Sequence, residues 1–241
     1  LLKRDHTVDT KAEFVRRLFA GIPAEYDQLL WMLTLRQDVR WRRKAIRTAD
    51  VASGAHILDL ATGTGVFAFD WIDRVQGCRV TALDITPAML VHGRRVLVSR
   101  GSVDPVGFVG GRTERLPFPD RSFDAVSIGL ALRNLSDLEA SFREMVRVLR
   151  PGGCLVSVDF TRPGNALFRR AYYLYLCRGL PAVGRAVSRE WDTTFEYLWR
   201  SILRFRPVDA VIDALREAGL VDIRAQPLTG GIATLLSGRR P

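Results

Sequence analysis

The sequence predicts an α/β fold: a doubly wound sheet that is mostly parallel and ends in an antiparallel hairpin. From residue 56 to residue 160, apolar runs suited to buried strands alternate with stretches of helical periodicity, as in parallel β-α units. A turn with two glycines, at residues 63–65, joins the first apolar run to a helix. Two further strands near residue 230 are joined by only Thr229-Gly230-Gly231, so they must be antiparallel.

Length and composition fit one globular domain. With 241 residues, 47% of them hydrophobic, the chain can bury a full core. No stretch approaches the roughly 18 apolar residues of a membrane span, and the N-terminus, LLKRDHTVDTK, is too charged for a signal peptide. We therefore expect a cytoplasmic protein. Three cysteines without a C-x-x-C pair and three histidines without ligand spacing argue against disulfides and against a metal site.

The net charge of +10 comes almost entirely from arginine, since only three residues are lysine. The arginines are scattered and no nucleic-acid-binding signature is present, so we expect no nucleic-acid partner. Two interpretations remain open. The charge is either a solvated arginine-rich surface or an attraction to an anionic membrane or an acidic substrate.

The first fifty residues are predicted to be helical and precede the first buried strand. Thr7 to Ala20 carries apolar residues at spacings of three and four, as an amphipathic helix does. Gly21-Ile22-Pro23 ends this helix, and a Tyr26-Asp27 pair leads into an apolar segment followed by a basic aromatic one. This prefix either folds back as a lid over the glycine turn or packs at the edge of the domain as a stabilising helix.

The glycine turn predicts a nucleoside-cofactor site. The helix that follows Gly63-Thr64-Gly65 has free N–H groups at its start, which attract polar or anionic groups. The next strand ends in Asp84, whose carboxylate can accept hydrogen bonds from both hydroxyls of a ribose. Because residues 63–68 also satisfy the permissive G-x-G-x-x-G/A dinucleotide pattern, the turn alone does not identify the cofactor.

A proline-rich loop is predicted before the fourth strand. The segment 87–100 reads as a helix and 106–109 as a short strand, after which Pro117 and Pro119 forbid regular structure. We expect Leu116 and Phe118 at the carboxyl edge of the sheet, where open α/β sheets bind ligands. An apolar side chain there can cover the face of an adenine.

The second half of the chain adds a helical insertion and the closing hairpin. A helix from Asp137 to Arg150 stops at Pro-Gly-Gly (151–153), and the strand 154–160 follows. The segment 165–205 is aromatic and arginine-rich, and it is read as inserted helices over the sheet edge, interrupted at Gly179-Leu180-Pro181. A helix at 207–218 and the strands 221–226 and 232–236 complete the chain.

Motifs spread over nearly the whole chain carry a family resemblance. They are Ala24-Glu25-Tyr26-Asp27, Arg40-Trp41-Arg42, LDLATGTG (58–65), LDITPAML (83–90), LPFPD (116–120), Leu132-Arg133-Asn134, VLRPGG (148–153), Tyr197-Leu198 and LTGGI (228–232). With them the chain resembles the class I S-adenosylmethionine-dependent methyltransferases, and among these the UbiE/MenG type, which C-methylates quinone rings. The glycine turn and Pro-Gly-Gly are common to many methyltransferases. The Arg-Asn pair, the Tyr-Asp prefix and the Leu-Thr-Gly-Gly ending narrow the match.

The resemblance implies one methyltransferase domain over residues 1–241, with a Rossmann-like sheet. Its segments would be an N-terminal helical lid (1–50), a cofactor-binding core (51–160), a helical substrate-side insertion (161–205), and a C-terminal helix and hairpin (206–241). The implied cofactor is S-adenosyl-L-methionine. The positions that the resemblance assigns to it are Asp59, Gly63, Thr64 and Gly65 around the methionine part, Asp84 on the ribose, Met89 and Phe118 near adenine, Tyr26 from the lid, and also Ile85, Arg112, Thr113 and Gly129.

Most of these assignments have a structural alternative. Asp59 and Thr64 could brace the turn, Met89 or Phe118 could be ordinary packing, and Tyr26 could anchor the lid without touching the cofactor. Four positions depart from the family pattern: Val66 and Arg112 stand where acidic or amide residues are common, Leu30 where asparagine is, and Gly129 where serine is. Arginine cannot accept a hydrogen bond from the adenine amino group, so Glu114 or a main-chain carbonyl would have to do so.

Arg133 and Asn134 are the expected catalytic residues. Carbon attack on a dihydroxylated ring becomes easier when a ring hydroxyl loses its proton, and a guanidinium stabilises the resulting phenolate. Arg133 would supply that charge and Asn134 would orient a hydroxyl or a water. Because the pKa of arginine exceeds about 12, a water or the substrate itself must relay the proton. The alternative for Arg133 is an ion pair with the helix that carries Glu139.

Three functions remain open at this point. The first is methylation of an isoprenoid quinol, with the aromatic insertion as the substrate channel and the arginine surface in peripheral contact with an anionic membrane at its inner face. The second is methylation of another small aromatic or polyketide-like molecule, and the third is a non-catalytic binding protein of the same fold. A homodimer is compatible with each of them.

Overall fold

The computed structural model describes residues 8–101 and 106–241. Seven strands form one sheet in the order β3-β2-β1-β4-β5-β7-β6, in which β7 alone runs antiparallel to its neighbours. The predicted fold class is therefore confirmed. The strands are β1 His56–Leu60, β2 Arg79–Asp84, β3 Val106–Gly110, β4 Phe123–Gly129, β5 Leu149–Phe160, β6 Val221–Leu228 and β7 Ala233–Arg239.

Ten α-helices in the described ranges surround the sheet. They are α1 Val8–Ala20, α2 Tyr26–Thr34, α3 Gln37–Ala49, α4 Val66–Ile72, α5 Pro87–Ser99, α6 Leu138–Val148, α7 Ala166–Leu174, α8 Leu180–Val187, α9 Arg189–Arg204 and α10 Val208–Glu217. Two short 3₁₀ turns, Leu132–Asn134 and Thr229–Gly231, and one π-helical turn, Tyr175–Gly179, complete the elements.

The central strands bring three chain segments to one edge of the sheet. β1 lies between β2 and β4, with Leu60 in register with both Leu83 and Ile128, so the three strands end at the same level. All three side chains are fully buried, as expected for strands covered on both faces. The residues that follow these strands therefore meet at the carboxyl edge, where open parallel sheets bind ligands.

The N-terminal helices are fixed to the rest of the domain. On α3, the buried Arg42 forms ion pairs with Asp38 at 2.5 Å and with Asp70 of α4 at 2.6 Å. The indole N–H of Trp41 donates to the hydroxyl of Thr229 at 2.8 Å, which ties α3 to the turn before β7. Pairing of Arg42 with two carboxylates offsets the cost of burying its charge.

The insertion is helical, as predicted, but the predicted interruption at residues 179–181 is wrong. The backbone stays helical through Gly179 (φ −64°), and the five residues Tyr175–Gly179 form a π turn between α7 and α8. Pro181 stands in the first turn of α8, where its missing N–H is not needed. The proline therefore begins a helix here and does not end one.

The loop between β3 and β4 contradicts the expectation for Phe118. β4 runs parallel to its neighbours, so the chain must return from the carboxyl edge to the amino edge of the sheet before β4 begins. No helix lies between β3 and β4, so the loop 111–122 makes this return, alongside α6. Arg147, near the end of α6, donates to the carbonyls of Leu116 and Phe118. The Phe118 ring packs on that of Phe123, the first residue of β4, at 5.2 Å. Phe118 thus packs at the amino end of β4 and not at the carboxyl edge of the sheet.

The carboxyl-terminal strands form the predicted hairpin. β7 pairs with β5 and β6, so the outer strand β6 is the sheet edge. The pairing of β6 shifts register between Val221 and Arg224, and Asp222 has a left-handed backbone (φ 51°). In the centre of the sheet, β5 begins earlier than predicted, because Leu149 already pairs with Phe123 of β4.

Candidate active site

A cleft opens at the carboxyl edge of β1, β2 and β4. Its floor comes from the segments that follow these strands, and its roof from α1 and the first residue of α2. This is the edge at which open α/β sheets bind ligands. Eight of the predicted positions line it: Tyr26, Gly63, Asp84, Ile85, Met89, Arg112, Thr113 and Gly129.

The glycine turn is shaped by left-handed backbone and close packing. Gly63 (φ 57°) and Gly65 (φ 88°) adopt conformations that favour glycine. A Cβ on Gly65 would lie 3.0 Å from Phe69, while one on Gly63 would lie 3.6 Å from the Tyr26 ring. Tyr26 thus lies directly over the turn, as the lid hypothesis predicts.

Two residues of the turn do not line the cleft. The Thr64 hydroxyl donates to Asp27 of α2 at 2.8 Å, and Gly65 precedes α4 with its backbone turned towards Phe69. For Thr64 the structure favours the alternative of bracing, because its hydroxyl joins the turn to the lid. Its amide and that of Gly65 belong to the helix start, not to the cleft wall.

Asp84 holds the turn through both carboxylate oxygens. Oδ2 accepts from the Gly63 amide and Oδ1 from the Thr86 amide, each at 2.8 Å. Burial raises the pKa of Asp84, and these amide donors oppose that rise. A carboxylate has about four acceptor positions, so two remain for a ligand with a pair of hydroxyls. Ile85 and Met89 provide an apolar wall beside it.

The far wall contains Arg112, Thr113 and Gly129. Arg112 lies 3.6 Å from the Glu114 carboxylate, and Glu114 also accepts from the amide of Ser136 at 3.2 Å. The Thr113 hydroxyl shares a hydrogen bond with Ser141 at 2.9 Å, so it holds α6 against the cleft. A Cβ on Gly129 would meet the Phe67 ring at 3.0 Å, and Phe67 therefore occupies the space that a larger residue at 129 would need.

Asp59 lies in a smaller polar chamber behind Tyr26. Its oxygens accept from the hydroxyls of Thr62 and Ser127, both at 2.6 Å. Arg42 and Asp38 also line this chamber, together with the apolar Leu30 and Val66. Burial raises the pKa of Asp59 to about 6, although the two hydroxyl donors lower it.

We expect Asp59 to make the stability of the protein depend on pH. The folded pKa of about 6 exceeds the ordinary value of 3.8, so the folded state binds the proton more tightly. The contribution of Asp59 to the free energy of unfolding is fully present below about pH 4. It is lost as the pH rises from about 4 to 6, and the loss is about 3 kcal/mol at most. Between pH 4 and 7, Asp59→Asn should gain unfolding free energy relative to wild type.

Urea titrations at several pH values measure this difference. Asparagine can still accept from one hydroxyl and donate to the other, so the turn should persist. The matched control is Asp213→Asn, a change at an exposed position of α10. Its free energy of unfolding should differ from that of wild type by the same amount at every pH. An Asp59→Asn curve parallel to that of wild type would show that Asp59 is ionised at no free-energy cost.

Arg133 is buried and held from several sides. Its side chain is 3% exposed, and its guanidinium donates to Asp159 at 2.9 Å, to the carbonyl of Leu130 and to Ser201 at 3.2 Å. It also lies over the Phe160 ring at 5.2 Å. The alternative partner, Glu139, pairs instead with Arg206. Arg133 does not line the cleft but is among the residues that line the groove beside it.

Asn134 connects the cleft with that groove. It lines the cleft, and its side-chain oxygen accepts from the Tyr197 hydroxyl of α9 at 2.9 Å. Tyr197 in turn packs on Phe14 and Phe19 of α1 at 5.4 and 6.4 Å between ring centroids, and Phe19 packs on Tyr26. These four rings form an aromatic roof that joins the lid to the insertion.

Several site residues were missed by the sequence reasoning. Asp159 fixes the 132–134 turn by accepting from the Leu132 amide at 2.6 Å as well as pairing with Arg133. The sequence feature that could have indicated Asp159 is an acidic residue within a mostly apolar strand. Ala12, Val15 and Phe19 cover the cleft, which the amphipathic pattern of the first helix indicated only as a general lid.

Within the described parts of the chain, no group of three histidine, cysteine, aspartate or glutamate side chains is placed to hold a metal ion. In the same ranges, no helix combines the length and the apolar character that crossing a bilayer requires.

The chain matches known proteins over nearly its full length. The sequence model of the ubiE/COQ5 methyltransferase family matches residues 7–240. A demethylmenaquinone methyltransferase of Mycolicibacterium paratuberculosis is 38% identical over 97% of each chain. The ubiquinone/menaquinone biosynthesis C-methyltransferase UbiE of Hahella chejuensis is 35% identical over 96% of this chain and 93% of its own.

Solved structures share the fold at lower identity. A SAM-dependent methyltransferase of Thermotoga maritima, described as a possible histamine N-methyltransferase, aligns with a TM-score of 0.65 at 17% identity, over 94% of this chain and 99% of its own. The resemblance inferred from the motifs is confirmed, and so is the methyltransferase fold. The chain belongs to the ubiE/COQ5 methyltransferase family.

Proposed function

We propose that this methyltransferase uses S-adenosyl-L-methionine to C-methylate the ring of an isoprenoid quinol, of the demethylmenaquinol kind. One observation carries the proposal: the turn Leu132–Asn134 presents Asn134 to the cleft that contains Asp84 and Arg133 to the adjoining groove. A cofactor site and a buried cation for a ring oxygen thus lie on either side of one short turn. Relatives named for demethylmenaquinone methylation support the ring type.

The cleft residues fit the proposed cofactor. Asp84 retains acceptor positions for two ribose hydroxyls, and Met89 and Ile85 offer apolar surface to a base. The Glu114 carboxylate lies at the same wall as Arg112 and supplies the acceptor that an arginine lacks. Asp59 and the polar chamber behind Tyr26 would receive the charged amino-acid end. Thr64 and Gly65 would contribute through the shape of the turn.

The protein's own contribution to the reaction would be alignment and electrostatics. When bound, the cofactor supplies an electrophilic methyl group that needs little activation, so excluding water and fixing the ring are what the chain must do. Arg133 would stabilise the ring oxygen after it loses its proton, and Asn134 would orient that oxygen or a water. The proton leaves through water or the substrate, since the guanidinium stays protonated.

The groove beside the site suits a ring with an apolar tail. It runs between α1, α6 and α9, and Arg133 and Tyr197 lie at its inner end. Its apolar members are Phe14, Leu132, Leu135, Leu138 and Phe205. We propose that the insertion 161–205 serves the substrate side, as the four-segment division of residues 1–241 predicts, and that the lid 1–50 closes over the cofactor.

A different small aromatic substrate is the second candidate. It is favoured by the positions that depart from the family pattern, because Leu30, Val66 and Gly129 all border the chamber behind Tyr26. With Phe67 filling the space above Gly129, this wall is more apolar than a serine and an acidic residue would make it. A non-catalytic binding protein is the third candidate.

Two measurements separate these candidates. Calorimetry with S-adenosyl-L-methionine should show saturable binding to the purified protein, and its absence would reject the first two. Incubation with the cofactor and reduced demethylmenaquinone should then yield a quinone heavier by one methyl group, measured by mass spectrometry. Binding without that product, but with a methylated product from other phenols, would favour the second candidate. Light scattering on the same sample measures whether the chain forms a homodimer.

A further inference from the structure

We propose that the outer surface of the lid and the insertion is a docking face for an anionic lipid bilayer. This lid–insertion face consists of the α2–α3 corner, with Trp31, Leu35 and Arg36, and of one stripe along α7 and the π turn, with Leu167, Arg170, Leu174 and Arg178. The inference rests on the proposed function for its purpose, because it names the surface through which a lipid substrate would arrive.

Large apolar side chains are exposed on this face. Trp31 is 53% exposed, Leu35 66%, Leu167 80% and Leu174 56%. Leu35 and Arg36 both adopt left-handed backbone, with φ of 49° and 60°, which non-glycine residues reach only at a cost. The corner therefore holds two side chains outward at the expense of backbone strain, and burial of Leu35 in a bilayer would offset that cost.

The two parts of the face are joined. The Tyr175 hydroxyl donates to the carbonyl of Met32, so the π turn contacts α2. Tyr175 directly follows the exposed Leu174, and Met32 directly follows the exposed Trp31. Along α7, positions 167, 170, 174 and 178 recur at spacings of three and four, which places them on one side of the helix. The two parts of the face thus lie on helical segments that touch each other.

The charge of the face is complementary to anionic lipid. Residues 161–188 contain five arginines and no acidic residue. On the lid side, Arg42 is buried in ion pairs with Asp38 and Asp70 and adds nothing to the surface charge. The exposed basic residues of the face itself are Arg36, Arg170 and Arg178.

This combination indicates a bilayer in preference to a protein partner. Protruding Trp and Leu side chains set among arginines match the interfacial pattern, in which apolar tips enter the acyl boundary and cations contact headgroups. A protein partner would need a continuous, shape-matched patch with an apolar centre. On the lid–insertion face, Arg36 follows Leu35 directly and Arg170 separates Leu167 from Leu174, so no such centre is present.

The inner sides of the same helices reach the catalytic region. Tyr26 begins α2 and covers the glycine turn, while Tyr172 of α7 is buried, and its hydroxyl has no hydrogen-bond partner among the described residues. The charge of Arg133 acts on both phenols, although burial dominates and raises the pKa of each. The helices whose outer sides form the face therefore also cover the region of Arg133 on their inner sides.

Vesicle sedimentation tests the proposal. The full chain should bind vesicles that contain phosphatidylglycerol at least about tenfold more tightly than pure phosphatidylcholine vesicles. The double change Arg36→Glu/Arg170→Glu should weaken that binding about tenfold or more, and Leu35→Ser/Leu174→Ser should weaken it comparably. The matched control is Arg94→Glu/Arg95→Glu, on exposed positions of α5, which should change binding less than about threefold.

Other outcomes would overturn the proposal. Equal binding to neutral and anionic vesicles, no vesicle binding, or equal losses for the α5 control would each do so. Methylation of a water-soluble quinol with a truncated tail should be unchanged in the face variants, which also shows that they fold. Vesicle binding by a protein that methylates no quinol would instead reject the proposed function and leave the docking face standing.

Discussion

Replacing Arg133 with alanine should lower kcat about 10²- to 10³-fold while the Kd for S-adenosyl-L-methionine changes less than about twofold. The guanidinium lies outside the cofactor cleft and lines the groove, so the cofactor would lose no contact. The ring oxygen would lose its buried cation. Single-turnover kinetics give the rate of the chemical step, and calorimetry gives the cofactor affinity.

Loss of Arg133 should also destabilise the fold. Asp159 would remain buried without its partner, a situation that costs about 3–5 kcal/mol. The double variant Arg133→Met/Asp159→Asn removes both charges and should recover much of that stability without recovering activity. Arg216→Ala, which breaks the exposed pair with Asp213 on α10, is the control and should keep activity near that of wild type.

Two results would contradict the role of Arg133. Loss of cofactor binding in Arg133→Ala, at a temperature where the variant is folded, would assign the residue to the cofactor site. Full activity in the stabilised double variant would make Arg133 a purely structural residue.

Changing Asp84 to alanine should weaken S-adenosyl-L-methionine binding by at least about 100-fold. Two hydrogen bonds from ribose hydroxyls to a charged acceptor would be lost, at about 1.5–3 kcal/mol each. The same change removes the acceptor for the amides of Gly63 and Thr86, so the turn itself should loosen. Calorimetry measures the affinity, and hydrogen exchange at residues 62–66 measures the loosening.

Asparagine at position 84 separates these two effects. Asp84→Asn keeps one acceptor oxygen, but its amide would face a backbone N–H donor, so affinity should fall nearly as far. Asp222→Ala, on the edge strand β6, should leave affinity unchanged. Wild-type affinity in Asp84→Ala would show that the ribose lies elsewhere and would remove the cofactor assignment of the cleft.

Local patterns were sufficient to predict the sheet and the turn. Ile57 and Leu58 point to opposite faces of β1 and are both fully buried because the strand is central, and a strand of that kind is mostly apolar. Gly63 and Gly65 have left-handed backbone, a conformation that favours the glycines found at this turn. The hairpin followed from the three-residue link alone.

Contacts between distant segments were not predictable in this way. Nothing local to Arg133 indicates Asp159, because the pair forms only when β4 and β5 lie side by side. Thr64 and Asp27 are likewise brought together by the folding back of the lid. For Phe118, proline content correctly indicated a loop, but the direction of that loop depends on where β4 begins.

The outer strand β6 bears on how copies of this protein meet. Its shifted register, the left-handed Asp222 and the missing N–H of Pro227 leave a broken row of hydrogen-bonding groups along the rim. A second copy could not extend the sheet across such a rim in regular pairing. If two chains associate on this side of the molecule, they should do so through helical surfaces, and strand-by-strand growth of a fibre from β6 should be resisted.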